Sequence, residues 1–141
     1  ERKVTTKTKA VIPVHLTGRV FDTEKISQLC KDKNIEIVED AAQSFGAISK
    51  NGKKTGTLGK AGAFSLHPLK NFAIYGDGGI ITTNSSELAD KCFLLRNHGL
   101  KNRDEASIWG FNSRLDELQA SYALVNLPQI EKLTIRYIEI A

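Results

Sequence analysis

Lys70 lies in a stretch whose residue types could do chemistry. Phe64-Ser65-Leu66-His67-Pro68-Leu69-Lys70 is followed by Gly76-Asp77-Gly78-Gly79, and Val38-Glu39-Asp40-Ala41-Ala42-Gln43 lies upstream. A carboxylate ending one apolar strand, with a hydroxyl and an amine following another, suits pyridoxal phosphate. The lysine would form the Schiff base, the aspartate would keep the pyridine nitrogen protonated, and the serine would bond the phosphate. The cofactor then acts as an electron sink, and the protein supplies position and electrostatics.

Each of these residues also has a plainer role open to it. Asp40 can N-cap a short helix through Ala41-Ala42-Gln43, and Lys70 can be a solvated surface lysine. Ser65 can satisfy nearby backbone groups, and His67 can be a packed, hydrogen-bonded histidine. Gly76, Gly78 and Gly79 can serve only a turn that requires positive φ. The order of the group carries more weight than any one member.

The elements that must position these residues alternate between strand and helix. Ala10-Val11-Ile12-Pro13-Val14 reads as a buried strand, with Pro13 limiting its pairing. Asp22 or Thr23 can cap a helix in which Ile26, Leu29 and Cys30 share a face. Ile35 to Val38 is a second strand, completing a βαβ unit with parallel strands and a right-handed crossover. Asn51-Gly52 marks a hairpin turn between Ala47-Ile48-Ser49 and Lys53-Lys54-Thr55.

Gly62 to Leu66 is a third strand and Gly79 to Thr83 a fourth. The link between them is too short for a helical crossover, so the fourth should run antiparallel. Ser85 or Ser86 caps a helix bearing Leu88, Cys92 and Leu95 on one face, and Leu115 to Val125 has helical spacing. Pro128 kinks or restarts that helix, and Ile130, Leu133, Tyr137 and Ile138 continue the helical spacing. The fold class is α/β, with a mixed, mostly parallel sheet flanked by helices. In such sheets ligands bind beyond the carboxyl ends of the strands. Asp40 and Lys70 should therefore face one crevice if their strands are parallel.

With 141 residues, 40% hydrophobic and 26% charged, the chain has the make-up of one globular domain. Its net charge of +4 draws on Arg2, Lys3, Lys7, Lys9, Lys50, Lys53, Lys54 and Lys60. These read as a solvated surface, and no interleaved aromatics support nucleic-acid binding. Cys30 and Cys92 read as buried free thiols, with no disulfide framework or metal site. The polar N-terminus offers no signal peptide and no run is long enough to span a membrane, so a cytoplasmic location is expected. There is no methionine, and both ends read as cuts through a larger protein.

The chain resembles the DegT/DnrJ/StrS-type sugar aminotransferases, which depend on pyridoxal phosphate and share the aspartate-aminotransferase-like fold. The resemblance rests on Pro13-Val14-His15-Leu16-Thr17-Gly18, Glu39-Asp40-Ala41-Ala42-Gln43, Phe64 to Lys70 and Gly76-Asp77-Gly78-Gly79. It continues through Arg96-Asn97-His98-Gly99 and Gly110-Phe111-Asn112-Ser113-Arg114-Leu115-Asp116. These segments follow the family's order and span nearly the whole chain. Leu66 stands where the family usually has an aromatic residue.

The resemblance implies that Lys70 anchors the cofactor and that Asp40 pairs with its pyridine nitrogen. It implies that Gln43 lies near the ring and its 3-hydroxyl, and that Ser65 is a phosphate ligand. Asn112 would reach the phosphate of a neighbouring subunit's cofactor, so a homodimer is expected. His15, His98 and Arg114 match family positions without an assigned role. The implied reaction moves an amino group, usually from glutamate, to a nucleotide-linked 4-keto or 3-keto hexose.

Residues 1–141 would then be the central part of the cofactor-binding large domain. The N-terminal segment, with its Gly-Thr phosphate turn, and the C-terminal small domain would lie outside. Two rival functions stand beside this one. A sugar dehydratase of the same family would carry histidine in place of the lysine, which Lys70 opposes. A non-catalytic fragment would fold or oligomerise without cofactor, and its exposed sheet edges would favour association.

Overall fold

The computed structural model describes residues 3–140; Arg2, counted above among the basic residues, lies outside them. One four-stranded sheet of order β1-β2-β3-β4 and two hydrophobic clusters frame the described residues. β1 (Ala10–Val11) and β2 (Glu36–Asp40) are parallel and joined through α1 (Thr23–Asp32). β3 (Ala61–Ser65) pairs parallel with β2, while β4 (Gly79–Thr83) returns antiparallel to β3. The mixed, mostly parallel sheet expected from the sequence is therefore present.

Local chemistry explains the element boundaries. Asp22 caps α1 by accepting the Lys25 N–H at 3.3 Å, and Ser85 caps α2 (Ser86–Arg96) by accepting the Leu88 N–H at 3.3 Å. Both are residue types whose short side chains reach the open donors of a first helical turn. Pro128 lacks an N–H, and a short 3-10 turn at Leu127–Gln129 separates α3 (Glu117–Asn126) from α4 (Ile130–Ile140). The Asn51-Gly52 hairpin also forms, with Ile48 bridged to Lys54 and the Ser49 N–H bonded to the Lys53 carbonyl at 2.8 Å.

The first strand departs from expectation. Only Ala10–Val11 joins the ladder, and Ala10, Ile12 and Val14 are exposed. Pro13 has no N–H to donate, and among the described residues β1 is the edge strand of the sheet. Val14 rejoins through a single parallel bridge to Asp40.

Leu66, Phe72, Ile74 and Ala123 form one cluster, with Phe45, Ile80, Leu115, Tyr122 and Ile130 packed around it. Cys30, Ile35 and Ile37 form the other, beneath α1. Leu66 is completely buried, and burying a side chain of that size contributes about 1.5–3 kcal/mol. The leucine thus fills a core position at the point where β3 gives way to the loop carrying Lys70. The described lysines of the basic set are all exposed. No described helix is long and apolar enough to cross a membrane.

Candidate active site

Asp40 is the last residue of β2 and pairs with Ala63; Ser65, the last of β3, lies two residues further along the parallel neighbour. At about 3.3 Å per residue, that offset is roughly 7 Å along the strand. Both strands therefore deliver polar side chains to the same carboxyl-terminal edge. The Ala41 N–H continues the ladder to the Ala63 carbonyl at 2.9 Å, and the chain then turns.

That turn is not the short helix considered for Asp40. Asp40 Oδ1 accepts the Ala42 N–H at 3.1 Å, and the Ser44 N–H bonds to the Ala41 carbonyl at 3.1 Å. Asp40 thus caps a turn in the manner of Asx residues. Gln43 is exposed, and its Oε1 accepts the Thr17 N–H at 3.0 Å.

After β3 the chain makes a second turn, with the Lys70 N–H bonded to the His67 carbonyl at 2.9 Å. Ser65 Oγ accepts the His67 N–H at 3.2 Å. His67 is exposed rather than packed, and its Nδ1 accepts the Leu69 N–H at 3.2 Å. Lys70 is half-buried, and no described carboxylate lies within ion-pair distance of its amine. The next residue, Asn71, donates to the Phe45 carbonyl at 2.8 Å, tying the lysine loop to the loop after Gln43.

The Gly76-Asp77-Gly78-Gly79 turn has a partly different basis from the one expected. Gly76 alone has positive φ, at 148°. A Cβ on Gly79 would come within 2.8 Å of the Phe64 carbonyl oxygen, so close strand approach requires that glycine.

Asn112 does not join this group within the described chain. It is exposed and bridges antiparallel to Asn97, just beyond α2. The Ser113 N–H bonds to the Arg96 carbonyl at 2.9 Å, and Arg114 donates to Asn97 Oδ1. A cavity of about 550 Å³ separates this strip from β4, lined in part by Asp77, Gly79, Ile81, Cys92 and Arg96. Cys92 is only half-buried, unlike the buried thiol expected, whereas Cys30 is 2% exposed.

One polar pair stood outside the expected chemistry. His15 Nε2 lies 3.0 Å from Glu39 Oε2, and both side chains are completely buried. A signal existed in the alternation of Ile37 and Glu39 along β2, which puts a carboxylate on an inward face where it must find partners.

Asp40 and Ser65 thus end two parallel strands at one sheet edge, and Gln43 and Lys70 follow on loops tied to one another through Asn71 and Phe45. The chain matches the DegT/DnrJ/EryC1/StrS aminotransferase family over residues 1–141. It belongs to that family. It is 48% identical over 134 residues to a pleiotropic regulatory protein of Geobacillus stearothermophilus, covering 95% of this chain and 36% of that protein.

It is also 46% identical over 141 residues to the dTDP-3-amino-3,6-dideoxy-alpha-D-galactopyranose transaminase of Aneurinibacillus thermoaerophilus, covering 100% of this chain and 39% of that protein. Among solved structures it is similar to Streptomyces venezuelae DesV in complex with a ketimine intermediate. That match has a TM-score of 0.88 at 38% identity and covers 93% of this chain and 35% of that one. The chain spans less than two fifths of the length of these family members.

Proposed function

We propose that this chain is the central part of a cofactor-binding large domain that transfers an amino group, with glutamate as donor, to a nucleotide-linked keto sugar. The observation that supports this reading is that parallel β2 and β3 end at Asp40 and Ser65 on one sheet edge, with Lys70 on the loop that follows β3. The family match over the whole chain supports it.

The donor set fits pyridoxal phosphate. One oxygen of Asp40 is occupied by the Ala42 N–H, while no described hydrogen bond engages the other. Ser65 Oγ acts as an acceptor toward His67, which leaves its own hydrogen to donate to a phosphate oxygen. When bound, this cofactor supplies an electron sink for charge developing at the amino donor's α-carbon.

The chain's own residues do the rest. Lys70 Nζ would hold the cofactor covalently, and its free amine would take the proton from the donor's α-carbon and deliver it to the cofactor's C4′ carbon. Asp40 holds a proton on the ring nitrogen by placing a negative charge beside it. Gln43 orients the ring from the side held by Thr17. Asn112 serves the phosphate of a second copy, so the working unit is a homodimer.

Donor and acceptor are tested by single-turnover assays on the cofactor-loaded protein. One equivalent of 2-oxoglutarate should form from glutamate, and the amino group should pass to a nucleotide-linked keto sugar. Bound cofactor that reacts with neither glutamate nor any other amino acid would overturn the transamination reading. It would favour a chain that folds and binds without turning over.

A further inference from the structure

His15 and Glu39 have no part in the reaction as described, yet they are completely buried. Glu39 Oε1 accepts the Leu58 N–H at 2.7 Å and the Gly59 N–H at 2.9 Å. Its Oε2 accepts the Gly56 N–H at 2.8 Å and faces His15 Nε2 at 3.0 Å. Four donors fill the four acceptor directions of an ionised carboxylate, which assigns the hydrogen of the imidazole contact to Nε2.

The other ring nitrogen, Nδ1, is buried with no described hydrogen-bond partner. Leaving it unpaired costs its hydration, a cost that an apolar ring in the same place would avoid. A phenylalanine would keep the stacking on Phe21, where the ring centroids lie 5.1 Å apart. Packing alone therefore gives no reason for a histidine here.

The backbone around His15 offers one. The His15 N–H bonds to the Asp40 carbonyl at 3.0 Å, and the Asp40 N–H bonds to the Pro13 carbonyl at 3.0 Å. Two residues on, the Thr17 N–H holds Gln43 Oε1 at 3.0 Å. One short segment, residues 13–17, thus grips the backbone of Asp40 and the side chain of Gln43, the two residues assigned to the cofactor ring. The imidazole–carboxylate contact locks that segment to β2. Successive residues of a strand point to opposite faces, so Glu39 acts from behind the sheet while Asp40 faces the site.

We propose that His15 and Glu39 are positioning residues of the cofactor site: their contact fixes segment 13–17, which fixes Asp40 and Gln43 against the ring. This rests on the proposed role of Asp40.

The test reads the proton on the cofactor's ring nitrogen directly. The protein and its variants are loaded with pyridoxal phosphate carrying ¹⁵N in the ring, and the ¹⁵N shift is followed against pH. Unfolding of the cofactor-free proteins is measured in parallel. The wild-type ring nitrogen should stay protonated through neutral pH and lose its proton only toward the alkaline end of the accessible range, where its midpoint is read.

His15→Phe should lose that proton at a midpoint at least one pH unit lower, a tenfold weaker hold. His15→Gln, which keeps an N–H donor toward Glu39, should recover at least half of the displacement. Glu39→Gln probes the same link from the other side and carries the test if His15→Phe does not fold. Variants that unfold more easily but titrate at the ring as wild type does would make the pair purely structural and overturn the proposal. An unprotonated ring nitrogen in the wild type would instead overturn the role of Asp40 on which it rests.

Discussion

The side-chain amide of Gln119 closes on the backbone of Tyr75 from both sides. Its Oε1 accepts the Tyr75 N–H at 3.0 Å, and its Nε2 donates to the Tyr75 carbonyl. The rings of Tyr75 and Tyr122 stand 4.4 Å apart beside this clamp. The loop that follows Lys70 is thereby fastened to α3, 44 residues away in sequence.

Removing that clamp should loosen the lysine loop before the sheet. Gln119→Ala deletes two hydrogen bonds worth about 1 kcal/mol each, so a loss of roughly 2 kcal/mol is expected. Gln119→Glu keeps the acceptor and drops the donor, and should lose less. Denaturant unfolding measures both, and amide exchange should show Tyr75 exposed first. Equal stability in all three proteins would mean that the clamp contributes nothing in solution.

Gly99 sits where only glycine fits. Its φ is +72°, and a Cβ there would collide with the Ile108 carbonyl oxygen. The same crossing holds the His98 N–H to the Phe111 carbonyl at 2.7 Å and places Asn112 opposite Asn97. Gly99→Ala should cost about 1–3 kcal/mol from backbone strain, and more from the collision. Thermal unfolding tests the loss. A variant as stable as the wild type would show that the crossing yields cheaply.

The two cysteines should differ sharply toward a thiol reagent. Burial pushes the Cys30 thiol above its ordinary range, and its side chain is 2% exposed. The thiolate is the reactive form, so Cys30 should stay unmodified at neutral pH until the chain unfolds. Cys92 opens onto the cavity beside β4 and should react in the folded protein. Mass mapping after brief alkylation separates them, and modification of Cys30 at the rate of Cys92 would contradict the packing beneath α1.

Legibility in the sequence followed how local each signal was. Asp22, Ser85, Asn51-Gly52 and Pro128 act on their own neighbours, and each marks the boundary or turn expected of it. Gly79 to Thr83 was readable as an antiparallel return because the preceding link is short. The parallel pairing of β2 with β3 was only conditional, since register depends on contacts distant in sequence. The end of the expected strand at Val11 rather than Val14 is not legible, because an apolar run does not disclose that it lies at a sheet edge. Glu39 passed unnoticed for a similar reason: the backbone donors at Gly56, Leu58 and Gly59 approach it only once the chain has folded.

Within the site, Asp40→Asn should keep bound cofactor and lose most transamination, because a neutral amide does not hold the ring-nitrogen proton as a carboxylate does. The absorbance of the loaded protein and the yield of 2-oxoglutarate separate binding from turnover. Wild-type turnover in this variant would remove Asp40 from the reaction.

The most direct measurement mixes the purified protein with pyridoxal phosphate and records the visible spectrum before and after borohydride reduction. The modified peptide is then mapped. The expected result is a visible band that reduction abolishes, with the cofactor fixed on Lys70 and with neither band nor label there in Lys70→Ala. A label on another lysine, with the band intact in Lys70→Ala, would contradict the assignment of Lys70 as the covalent anchor.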